Sequence, residues 1–149
     1  MTLSTDFERL ELPLAEPFGI SRGTTETAEN VLVRIGDGEH VGVGAAAPTE
    51  YYGETIDDAV DALPDLLVAV EEVDDPHAQQ RVERLCREHA PDAPAARAAV
   101  AVALSDLAAR RHDEPLYRRW GLDPDAASVT SYTIGIDTPE RMAEKARAA

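Results

Sequence analysis

Between Asn30 and Ala46 two β-rich runs, NVLVRI and HVGVGAA, flank Gly36-Asp37-Gly38-Glu39. Valine and isoleucine suit a pleated strand, and a Gly-Asp-Gly turn supplies the backbone freedom of a tight reversal. These residues predict a hairpin. Upstream, residues 7–14 (FERLELPL) alternate loosely and predict another strand with Pro13 near its end, so that a small three-stranded antiparallel meander opens the chain. The stretch PFGISRGTTETAE between them, with two glycines and Pro17, is expected to be a loop.

Helical spacing follows the next loop, PTEYYGET. Thr55 is a candidate N-cap with Asp58 three residues on, and Ile56, Val60, Leu63, Leu67 and Val70 mark one stripe. Pro64 within that stripe is expected to kink or split the helix. A second helix is expected from Pro76 to about His89, and a third from about Ala93 to Arg111. In the third, Val100, Leu104 and Leu107 sit among alanines, which let backbones approach closely, so this should be the most buried helix. Pro115 to Trp120 predicts a short helical turn stopped by Gly121.

The polar segment LDPDAAS suggests a boundary near residues 122–128. Beyond it VTSYTIGI reads as a strand, and Thr138 caps a helix, TPERMAEKARAA, with Pro139 first. A lone strand and helix cannot bury their apolar faces without neighbouring strands. The chain is therefore expected to be the front part of a longer one.

Charge narrows the partners. Asp and Glu number 29 against 14 Lys plus Arg, a formal net charge of −15. Lys145 is the sole lysine. Such a field repels phosphate backbones and anionic lipid, so neither nucleic acid nor membrane is expected as a partner. The acids are scattered rather than blocked, and the acid-rich, lysine-poor surface resembles those of salt-loving microbes, where concentrated salt screens self-repulsion. With 44% apolar residues there is enough for a core. The lone Cys86 suits a reduced, cytoplasmic setting.

Four local words carry a resemblance. LPLAEPFGISRGT, GVGAAAPTEYYGET, ARAAVAVALSDLAARRHDEPLYRRWG and SYTIGIDTPERM occur in the order in which enolase-superfamily enzymes open, and look most like dipeptide epimerases of the mandelate racemase/muconate lactonizing enzyme group. The resemblance implies an α+β capping domain over residues 1–121, then at 122–149 the first βα unit of a TIM-like (β/α) barrel. Where the group often has Glu after the second glycine, this chain has Ala45. The implied chemistry removes the α-proton of a carboxylate substrate. It uses Mg²⁺ to stabilise the enediolate and lysines on the two faces to move the proton. The resemblance places the Lys-x-Lys pair and the metal ligands in a barrel beyond this chain, which alone is expected to be inactive. Muconate cycloisomerase and o-succinylbenzoate synthase share the cap and stay open as alternatives, as does a non-catalytic association module. A homo-oligomer is left open too.

The same resemblance selects candidate substrate contacts. Arg22 in the first loop could hold a substrate carboxylate bidentately, or be a solvated arginine on an acidic surface. Phe18 in that loop could cover the site or fill a small core beneath it. Tyr51 and Tyr52 in the second loop could line the pocket, or one ring could anchor the loop. Thr133 sits where epimerases face substrate, or is an ordinary strand threonine.

Other patterns fail. Gly42-x-Gly44-x-x-Ala47 mimics a dinucleotide fingerprint, but Pro48 follows instead of a helix. His40, His77, His89 and His112 lack ligand spacing.

Overall fold

The computed structural model describes residues 2–149. They form two compact units, one of residues up to Leu10 with Glu29–Asp123 and one of Glu11–Ala28 with Pro124–Ala149. Each is described by itself below.

Three strands, β1 (Ser4–Ile20), β2 (Gly23–Gly36) and β3 (Val41–Ala46), make one sheet in the order β1-β2-β3. The hairpin read from the sequence is present: β2 pairs antiparallel with β3, from Val31↔Ala46 to Gly36↔Val41. Asp37 closes its turn by accepting from the Glu39 and His40 amides at 3.0 and 2.8 Å. Directly opposed residues share a face, so Val31, Val33 and Ile35 lie with Ala46, Gly44 and Gly42, and all six are buried.

The expected loop over PFGISRGTTETAE is corrected. Strands β1 and β2 run through it almost to the two-residue turn Ser21–Arg22. Thr24, Thr25 and Thr27 are β-branched, and Pro17 is tolerated because β1 is an edge strand.

In the first unit α1 (Ile56–Val73) and α2 (Gln79–His89) pack against each other and against α3 (Pro94–Arg110), which lies on the sheet, with the single turn α4 (Leu116–Arg119) after α3. Thr55 caps α1 with a reciprocal box, its hydroxyl accepting from the Asp58 amide at 3.1 Å and Asp58 accepting from the Thr55 amide at 2.8 Å. Of the kink or split expected at Pro64, the split does not occur: α1 runs through it from Ile56 to Val73. Pro64 faces solvent, while Leu63, Leu66, Leu67 and Val70 seat the helix on both sides of it, and four buried side chains at ~1.5–3 kcal/mol each outweigh a proline cost of ~3 kcal/mol. Helix α2 starts at Gln79 rather than Pro76. Asp75 accepts from the His77 amide at 2.8 Å, a local turn that competes with helix, and Pro76 is buried outside it.

As expected, α3 is the most buried helix, with eight residues inside, five of them alanine. It crosses β3 at backbone contact: a Cβ added to Gly44 would lie 2.0 Å from the Ala99 carbonyl oxygen, and one on Gly42 2.1 Å from that of Ala103. The Val43 amide at this edge donates to Asp106 Oδ2 of α3 at 2.9 Å. Gly121, with φ of +67°, ends the α4 turn.

In the second unit α5 (Pro139–Ala148) begins as expected, Thr138 accepting from the Arg141 amide at 3.3 Å. The expected strand at 129–136 is corrected: these residues join no sheet. A strand is defined by its ladder, and here the backbone has one strong tie, the Ile136 amide donating to the Gly19 carbonyl at 2.7 Å.

Candidate functional site

Two of the candidate contacts, Phe18 and Thr133, meet in the second unit. Phe18 on β1 and Thr133 on the segment before α5 line one cavity of about 420 Å³, with Leu14, Glu16, Tyr132 and Lys145 among the other walls. The close approach is fixed by glycine: a Cβ on Gly135 would lie 3.2 Å from the Phe18 ring and 3.2 Å from the Gly19 amide nitrogen. Phe18 is half-buried and Thr133 exposed.

One side of this cavity is charged. Lys145 Nζ lies 2.8 Å from Glu16 Oε2 and 3.4 Å from Asp137 Oδ2, and Arg141 lies 3.6 Å from Glu16. The Lys145 hydrogen bond holds the Glu16 carboxyl below its usual range, and the same bond raises the Lys145 ammonium. Lysine and carboxylates therefore stay ionised at neutral pH and neutralise each other. Sequence reasoning gave Lys145 no role here. Its link to Glu16 spans most of the chain and leaves no local signal.

Arg22 sits exposed in the two-residue turn at the tip of the β1–β2 hairpin and is not among the residues lining this cavity. Tyr51 belongs to the first unit, in a 3-10 turn over Glu50–Tyr52. Its ring and that of Tyr52 meet edge to face, centroids 4.9 Å apart, and both stay open to solvent at 64% and 80% exposure. The loop ends on Glu54, quoted in the sequence only as part of a motif. It is 3% exposed and accepts from the Ala95 and Ala96 amides at 2.8 and 3.4 Å. Its partners are about 40 residues away, which hid them from sequence reading.

Metal chemistry finds no home among the described residues. No three His, Cys, Asp or Glu side chains converge in a way that could hold an ion. His77 and His112 do come together, ring centroids 5.3 Å apart, but no third such ligand joins them. Burial holds His77 below the usual imidazole range. No helix among the described residues is long and apolar enough to cross a membrane.

The three-stranded sheet under an alanine-rich helix defines a capping domain, and the comparisons with known proteins agree. Residues 5–121 match the N-terminal domain of mandelate racemase / muconate lactonizing enzyme. The chain belongs to that family, a branch of the enolase superfamily.

Its relatives sharpen the position. The L-Ala-D/L-Glu epimerase of Bacteroides thetaiotaomicron is 32% identical over 137 residues, 92% of this chain and 35% of that protein. The L-Lys-D/L-Arg epimerase of Methylococcus capsulatus is 38% identical over 141 residues, 91% of this chain and 38% of that protein. Among solved structures, the dipeptide epimerase from Methylococcus capsulatus, complexed with Mg and the dipeptide L-Arg-D-Lys, superposes with a TM-score of 0.86 at 32% identity. That match covers 99% of this chain and 42% of that one. The chain thus spans about two-fifths or less of the curated relatives named here.

Proposed function

We propose that the chain forms the substrate-covering part of a dipeptide epimerase, an enzyme that removes and returns the α-proton of a carboxylate substrate. Residues 1–121 act as the capping domain and 122–149 open the β/α barrel. The observation that carries this reading is the cavity shared by Phe18 and Thr133, in a chain whose relatives epimerise dipeptides of several kinds. In it Phe18 excludes water and the Thr133 hydroxyl bonds the substrate, while Arg22, outside this cavity at the hairpin tip, is proposed to hold a substrate carboxylate. Tyr51, in the first unit, is proposed as a further substrate contact, considered by itself. Magnesium, present in the relative's structure, is proposed to bind residues that relatives carry outside the span matched here, and no step is assigned to it on this chain. The acid-rich surface supports a further reading, a cytoplasm with concentrated salt, and a marked loss of helical CD signal on dialysis to dilute buffer is its test.

The enzyme reading is tested by proton exchange. The protein containing this chain, given a panel of dipeptides in deuterated water, should incorporate deuterium at one α-carbon. Replacing Arg22 by methionine should raise KM for every substrate so exchanged. Exchange with none of the dipeptides would overturn the proposal.

A further inference from the structure

Glu54 is one of two acidic or basic side chains buried in the described structure, the other being Asp37 in the hairpin turn. A buried carboxylate is costly unless its oxygens are satisfied. Both Glu54 oxygens reach the first turn of α3, where Ala93 at the N-cap offers no side chain of its own. Two amides left over by helix geometry and one carboxylate thus satisfy each other, at the positive end of a 17-residue helix.

The loop before Glu54 is closed as tightly. The Tyr51 amide donates to the Thr49 hydroxyl at 3.4 Å, and the Tyr52 amide to the Thr49 carbonyl at 2.9 Å. The Gly53 amide donates to the Glu50 carbonyl at 3.0 Å, with Gly53 in the left-handed region at φ +81°. The Glu54 amide returns to the Thr49 carbonyl at 3.4 Å. Directly after it, Thr55 enters the capping box of α1. Every amide from Tyr51 to Thr55 therefore has an acceptor, yet the two rings they carry are solvent-exposed. Ordered backbone beneath exposed aromatic rings is a presentation geometry: the loop can swing only if Glu54 leaves its buried seat.

We propose that Glu54 is a positioning residue, tying the loop that carries Tyr51 and Tyr52 to the N-terminus of α3 and so presenting the aromatic pair as a fixed wall. This rests on the reading of Tyr51 as a substrate contact only for its consequence in catalysis; the tie itself is measured separately.

The test is amide hydrogen exchange on the full chain in molar salt, comparing wild type with Glu54→Gln. Glutamine offers one carbonyl oxygen and sets an NH₂ group against the second amide. The amides of Tyr52, Gly53 and position 54 should exchange about tenfold faster, while the Val33 and Ile35 amides in the ladder stay unchanged. Ala95→Pro removes one donor from the other side at a first-turn position that accepts proline, and should speed the same loop amides. Unchanged loop exchange in both variants overturns the proposal, and so does equal acceleration in loop and ladder. In the enzyme that contains this chain, Glu54→Gln should raise KM several-fold with kcat retained. A loosened loop with unaltered KM in Glu54→Gln and Tyr51→Ala would keep the tie and remove the substrate reading of Tyr51.

Discussion

Replacing Gly44 with alanine would put a methyl group where α3 leaves no room for one. The new Cβ would sit 2.0 Å from the Ala99 carbonyl oxygen and 2.8 Å from the Ala103 amide nitrogen, against an ordinary contact of 3.4 Å or more. Both obstacles are backbone, so no rotamer change relieves them. Helix and strand must part by more than an ångström. Overpacking of this kind costs ~1–3 kcal/mol, occasionally more. Parting the two also stretches the Val43 amide's bond to the Asp106 carboxylate, now 2.9 Å, and a hydrogen bond to a charged group is worth ~1.5–3 kcal/mol. Against this, alanine lowers the entropy of the unfolded chain, a gain of about 0.4–1 kcal/mol. The net expectation is a loss of about 2–5 kcal/mol, a large share of the ~5–15 kcal/mol that holds a typical domain together. Urea unfolding in molar salt, followed by far-UV circular dichroism, measures it, provided the m-value is unchanged. Gly38→Ala is the contrast, for it has open space around it and a φ of +90°, so only backbone strain of ~1–2 kcal/mol acts. A loss below about 1 kcal/mol for Gly44→Ala would refute the claim that steric contact dominates at this crossing.

Asp37 carries a pH signature. The His40 and Glu39 amides, with Arg111 at 3.4 Å, hold its carboxyl below the usual range. Its folded pKa is lower than its unfolded one, so its contribution is complete above about pH 4 and is lost as pH falls through the folded value. The acid limb of a Tm–pH curve should therefore be shallower for Asp37→Asn below about pH 4. Thr55→Ala removes the α1 cap and should cost about 1 kcal/mol in the same unfolding assay, with Ser restoring most of it. Cys86 is buried between α1 and α2, and burial pushes its thiol up to about 11, so a thiol reagent should label it slowly in the native state and rapidly once unfolded.

What could be read from the sequence was what local chemistry decides. The Gly36–Glu39 turn, the Thr55–Asp58 box and the Thr138 cap each draw on residues within a few positions, and each stands in the structure. Readings failed where distant partners decide. Pro64 does not split α1, the stronger of the two outcomes its propensity allows, because burial of Leu63 and Leu67 overrides it. The Pro17–Glu29 stretch looked like loop because glycine and proline punctuate it, yet pairing within the sheet extends it. Residues 129–136 have a strand's composition without a ladder partner among the described residues. At the candidate site, the approach of Thr133 to Phe18 depends on Gly19 and Gly135 lying against each other, which no spacing announces.

The order β1-β2-β3 gives the sheet two edges that are treated differently. At the β3 edge Asp106 of α3 accepts from the Val43 amide, while β1, 17 residues long, is the other outer strand, its Gly19 carbonyl accepting from the Ile136 amide. A long free edge is a template on which a second chain can add strand to strand. Here Asp6, Glu8, Glu11 and Glu16 interrupt it, and Pro13 and Pro17 delete two donors. Asp6 and Glu8 pair with Arg34 and Glu16 with Lys145, so the charged guard is largely a set of ion pairs. In molar salt, where the screening length shrinks to about 3 Å, those pairs weaken, and the two amide protons that proline lacks remain missing from the edge whatever the salt.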